Sequence, residues 1–108
     1  LDTFNRVALS AAVNPSDTSV ADPSSTEYQT FARKFMAAYG AGCCTPFAAE
    51  AYDAANILLQ AIASVAVVDE QGQLVIPRQA LAQAVRNTKD FTGASGLITF
   101  DANGDRIP

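Results

Sequence analysis

Val7, Leu9, Ala11 and Val13 alternate with Ala8, Ser10 and Ala12, so both faces of this stretch are small or apolar. Such a pattern predicts a strand covered on both sides, as in a parallel α/β sheet. It ends at the turn-forming cluster Asn14-Pro15-Ser16-Asp17. Ser24-Ser25-Thr26-Glu27 has the spacing of a capping box, with Ser24 at the N-cap and Glu27 three residues on. The helix it predicts carries Tyr28, Phe31, Phe35 and Ala38 at helical spacing and stops at Gly40 and Gly42.

Thr45-Pro46 signals a second helix start, and the pattern runs on to about Val67. On a helical wheel Glu50, Asp53, Asn56, Gln60 and Ser64 fall within an arc of about 120°, with Ile57 intruding on it. Phe47, Tyr52, Leu58, Leu59, Ile62 and Val65 spread over the wider remainder. The expectation is a core helix that packs its broad apolar face on more than one neighbour and leaves the polar arc solvated.

Asp69 to Gln73 reads as a turn, and Pro77 starts a third helix to about Thr88, with Leu81, Ala84 and Val85 as its core stripe. Phe91 to Gly96 is a glycine-punctuated link. Leu97 to Phe100 is a short strand, and Asp101-Ala102-Asn103-Gly104-Asp105 is a hairpin turn, since Asn-Gly tolerates positive φ. The predicted order is strand-helix-helix-helix-strand. Two strands so far apart in sequence cannot shelter the apolar faces of three helices. The chain therefore reads as one part of a larger α/β domain, or as one of two copies that complete each other.

Composition narrows the chemistry. The 108 residues include 49% hydrophobic and 17% charged ones, enough apolar material to form a core. The net charge of −4 disfavours a phosphate-tracking surface, so nucleic acid is not an expected partner. Histidine is absent, which removes every Ser-His and Cys-His arrangement. Adjacent Cys43-Cys44 cannot form a CxxC motif; they read as small packed residues, with an intermolecular bridge or a strained vicinal disulfide as the alternatives. Leu1-Asp2-Thr3-Phe4 lacks the basic start and apolar stretch of a signal peptide, which leaves a cytosolic protein, a mature secreted one and an internal fragment all open. Ala54 to Val68 spans 15 residues and carries Asn56, Gln60 and Ser64, short of the about 20 apolar residues of a membrane span.

No residue set suggests catalysis or a metal or other cofactor. The Asp101–Asp105 run has its glycine at the fourth place and no bidentate Glu follows, so it is a turn rather than a calcium loop. Glu50 and Asp53, three apart near a helix start, read as solvated carboxylates favoured by the helix dipole. Ser10, Ser16 and Ser95 have no visible activating base, and Gly93 and Gly96 do not fit a phosphate loop. A binding site is easier to place. Ligands collect beyond the carboxyl ends of strands in open α/β sheets, which marks the loop of Asn14 and Ser16. Unsatisfied N–H groups at a helix start mark Thr45 and Phe47.

Three segments carry a family resemblance. Ala48 to Ile62 resembles the long second-lobe helix of type I periplasmic binding proteins, the branched-chain amino-acid receptor class. Phe91 to Arg106 is similar to that family's G-x-x-G-x-[IL]-x-F-D-x-x-G-[DE] stretch, and Phe35 to Gly40 to the end of the preceding helix. The resemblance implies an α/β fragment of one lobe, residues 1–108 being a partial second (C-terminal) lobe. It implies a non-enzymatic solute-binding component of an ABC transporter, periplasmic or extracellular, that closes on an amino acid or similar small solute and presents it to a permease. It also implies that Phe47, just before the long helix, touches the ligand, with Asn14 and Ser16 in a cleft loop. A ligand-sensing receptor on the same fold and a self-associating interaction module are the alternatives.

Overall fold

The computed structural model describes residues 20–40 and 47–107. The strand expected at Val7–Val13, the Asn14–Asp17 loop, Cys43-Cys44 and Thr45-Pro46 lie outside the described residues. Those described form helix α1 (Thr26–Tyr39), helix α2 (Ala48–Val65), a hairpin of β1 (Val67–Val68) and β2 (Leu74–Val75), helix α3 (Arg78–Arg86) and a hairpin of β3 (Phe91–Gly93) and β4 (Gly96–Ile98). Both two-stranded sheets are antiparallel and separate from each other.

Helix α1 starts one residue later than the capping-box reading. Ser25, not Ser24, is the N-cap, and its Oγ accepts the Tyr28 N–H at 3.2 Å. Ser24 is drawn instead to Asp22, donating its N–H and its hydroxyl to Asp22 Oδ1. Those bonds, the hydroxyl's foremost, hold the Asp22 carboxyl below its ordinary value. The helix ends as expected at Gly40, in the left-handed region at φ 76°, with its N–H on Met36 O.

Helix α2 starts at Ala48, and its N-cap is Phe47 rather than Thr45. It stops at Val65, so Val67 pairs in a strand instead of continuing the helix. Between β1 and β2, Asp69 Oδ1 accepts the N–H groups of Gln71 and Gln73, fixing the predicted turn. Helix α3 packs against α2, with Leu81, Ala84 and Val85 half-buried as its expected stripe.

The supposed link at Phe91–Gly96 is itself structure. Phe91 pairs with Ile98, Thr92 with Leu97 and Gly93 with Gly96. Alternation along β4 buries Ile98 and exposes Leu97. Phe100 then bridges Arg106 across the Asp101–Asp105 turn. In that turn Asp101 Oδ1 accepts the Asp105 and Asn103 N–H groups at 2.9 and 2.8 Å. The Asp105 bond is the main cause that holds the Asp101 carboxyl below its ordinary value of 3.8. A folded value below the unfolded one stabilises the fold above the unfolded value, and that contribution fades as pH falls through the folded value. Carboxyl-carbon NMR should give Asp101 a midpoint below 3.8, and Asp101→Asn should remove this part of the acid sensitivity. A midpoint at the ordinary value would contradict the turn geometry.

The largest departure concerns α2. Its buried residues are Ala49, Asp53, Ile57 and Ala61, a ridge of fourfold spacing. Asp53, assigned to the solvated arc, is 1% exposed. Tyr52, Leu58 and Leu59, assigned to the covered face, are exposed, Leu59 by 62%. Small residues explain the choice. Ala49 and Ala61 are small enough to let Phe31, α3 and the β3–β4 hairpin pack on this face, and Asp53 finds hydrogen-bond donors there. The core among the described residues is small: Phe31, Ala49 and Ala94 form one cluster with Ala21, Tyr28, Phe35 and Ala48 packed around it, and Ile57, Ala61 and Ile98 are buried besides. Among the described residues the two hairpins leave the outer face of α2 uncovered, as the helix-rich pattern leads one to expect.

Candidate functional site

The head of α2 is the candidate ligand-facing element. Phe47 holds φ 69° and ψ 6°, the left-handed region, which is uncommon for a bulky residue. Its carbonyl accepts the Ala51 N–H at 3.0 Å and closes the first helical turn. Its side chain makes no cap, and the residue is 46% exposed. The ring is therefore not the buried core aromatic that its position also allowed. Glu50, in the first turn, is half-buried, and its Oε1 accepts the Ala21 N–H at 3.3 Å. That bond ties the chain entering α1 to the head of α2, where a carboxylate also suits the helix dipole.

An aromatic series lies beside this head. Ring centroids run from Tyr39 to Phe35 at 4.9 Å, to Phe31 at 5.8 Å, and on to Tyr52 of α2 at 5.0 Å. The rings are mutually tilted by 43–52°, an arrangement that quadrupoles favour over face-to-face stacking.

The position of α2 is fixed by Asp53, one residue beyond Tyr52. Its Oδ1 accepts the Ala94 N–H at 2.7 Å, and its Oδ2 accepts the Ser95 N–H at 2.7 Å and the Ser95 hydroxyl at 2.6 Å. A buried carboxylate is tolerated only with such partners. Ser95, 2% exposed, passes the network on. Its hydroxyl accepts Arg106 Nη1 at 3.0 Å, while Arg106 Nη2 donates to the carbonyls of Ser95 and Leu97. Asp53, Ser95 and Arg106 thus lock the β3–β4 turn against the helix. The Ser95 hydroxyl donates to Asp53, and both side chains are closed to solvent.

Of the three residues singled out from sequence, Phe47 stands exposed at the head of α2. Asn14 and Ser16 lie outside the described residues. Sequence reasoning passed over Asp53, although its place between Ala49, Ile57 and Ala61 at fourfold spacing was the signal. Among the described residues no group of three His, Cys, Asp or Glu side chains could hold a metal ion. No described helix is long and apolar enough to cross a membrane.

A family model described as the receptor family ligand binding region matches residues 3–108. The chain belongs to that family. Neither a search of curated proteins nor one of solved structures returns a match. The receptor family is a ligand-binding family rather than an enzyme family, and its fold is that of type I periplasmic binding proteins. Three helices and two small sheets accordingly make an α/β fragment of one lobe of that fold. A small-molecule ligand is the partner that membership in the receptor family implies.

Proposed function

We propose that residues 1–108 form part of the second lobe of a two-lobed solute-binding protein, in which Phe47 meets the ligand. The supporting observation is the exposed Phe47 at the head of α2, in a chain of the receptor family. The ligand in this reading is a branched-chain amino acid or a related small polar solute, delivered outside the cytoplasmic membrane to an ABC permease. Hinge closure supplies the mechanism. Contacts made only in the closed state shift the open–closed equilibrium, so one lobe alone binds weakly. The uncovered outer face of α2 agrees with a lobe whose remaining elements lie elsewhere. Asn14 and Ser16 are proposed to belong to the same cleft.

The family's description as a receptor region favours a second reading, in which ligand closure signals to a partner rather than feeding a permease. Permease and ATPase genes beside the coding gene would support transport, and their replacement by signalling genes would support sensing.

The test is Phe47→Ala in the two-lobed protein that carries this segment. Burying a phenyl ring against ligand contributes about 2 kcal/mol, so Kd for leucine should rise about thirtyfold. The melting temperature without ligand should hold, because the ring is exposed. An unchanged Kd would remove Phe47 from the site. Leucine, isoleucine or valine added to the 108-residue chain alone should give no multi-degree rise in melting temperature. Such a rise would contradict a two-lobed site.

A further inference from the structure

We infer that the groove between α1 and the head of α2 is a binding site for a small aromatic carboxylate. Phe31, Lys34, Phe35, Tyr39 and Tyr52 line a groove of about 570 Å³, within the usual size range of small-molecule sites. Phe47 is not among its lining residues, so the site is separate from the ligand contact proposed above and stands whichever way that reading falls.

The floor and walls differ in a way that suits a ring. Phe31 is buried. Tyr39, 75% exposed, and the exposed Tyr52 stand at the two ends of the aromatic series. Neither tyrosine hydroxyl has a hydrogen-bond partner among the described residues. A flat apolar group in the groove would meet the faces and edges of rings in this series.

Charge decides between two kinds of ligand. Clustered aromatic faces attract cations, so the rings alone would suit a quaternary ammonium. Lys34, however, lines this groove and also a second depression of about 310 Å³ that shares Phe31 and Tyr52 with it. No carboxylate among the described residues pairs with Lys34. Its ammonium repels a cation in the groove and offers a carboxylate a contact at the rim. Glu27 lines the second depression, not the first, which places the anion on the Tyr39 side of Lys34.

Titration of the 108-residue chain with 3-phenylpropionate, followed by NMR, tests this, with 3-phenylpropanol and phenylpropyl-trimethylammonium as probes of the same ring and a different head. The acid should bind most tightly, with Kd near ~1 mM and shifts centred on Lys34, Tyr39 and Tyr52. Lys34→Met should weaken the acid about threefold, the size of an exposed ion pair, and leave the alcohol unchanged. Tyr39→Ala should weaken all three probes. Both side chains are exposed, so neither variant disturbs the core. Equal binding of acid and ammonium, an unaltered acid affinity in Lys34→Met, shifts centred on another surface, or no shifts at about 10 mM would each overturn the inference.

Discussion

Replacing Asp53 by alanine is expected to cost the fold about 4 kcal/mol, read as a shift in the urea unfolding midpoint. The substitution strands two buried backbone N–H groups and a buried hydroxyl, those of Ala94 and Ser95. Hydrogen bonds to a carboxylate are stronger than neutral ones, and each orphaned donor carries a desolvation cost. Against a total stability of roughly 5–15 kcal/mol for a small domain, this is a large share. Asp53→Asn should cost less, about 2 kcal/mol. Its one oxygen can still accept from Ala94 or from Ser95, but its amide group then points a donor at the other N–H. A variant chain with unchanged unfolding would show that the β3–β4 turn is held by something other than this side chain.

Gly93→Ala should destabilise by a comparable amount, about 3 kcal/mol, through the same carboxylate. A Cβ built on Gly93 falls onto the Asp53 carboxylate, closer than real Cβ atoms come to any neighbour. The backbone at Gly93 lies outside the positive-φ region, so an alanine there has no conformational penalty of its own. The whole effect is therefore collision. Gly96 supplies the contrast. It sits at φ 102°, and its added Cβ would meet only Arg106 Nη2 at 3.6 Å. Gly96→Ala should cost about 1 kcal/mol of backbone strain. In the double variant Asp53→Ala with Gly93→Ala, the second change should add little, because the obstacle is gone and the new methyl helps fill its space. Strict additivity would mean that Gly93 and Asp53 act independently.

Much of this architecture can be read locally. Gly40 stops α1, Pro77 opens α3, and the turns at Asp69–Gly72 and Asp101–Gly104 follow from Asx chemistry and glycine within a few residues. The orientation of α2 cannot be read that way. Its partners for Asp53 are 41 and 42 residues distant, and a helical wheel weighs a carboxylate as polar without knowing which donors will surround it. Hence the wheel places Asp53 outward with Glu50, Asn56, Gln60 and Ser64, and the apolar Leu58 and Leu59 inward. Two-residue and three-residue strands escape detection for another reason: alternation needs about four residues to register. The start of α1 turned on competition between neighbouring serines, decided by Asp22 capturing Ser24.

The same lock bears on ligand binding. Asp53 lies six residues beyond Phe47 on the same helix, so loosening it frees the head of α2 that carries Phe47. In the proposed two-lobed protein, an Asp53 variant that still folds should therefore weaken binding at the proposed Phe47 contact without touching the ligand, a positioning effect rather than a contact.

One buried carboxylate fastens the Ala94-Ser95 turn to α2, and backbone amide hydrogen exchange reads that attachment at the two amides it holds. The Ala94 and Ser95 amides of the unmodified chain should open only with global unfolding, matching the slowest amides of α2. Exchange of these two amides at the rate of open-loop amides would contradict it.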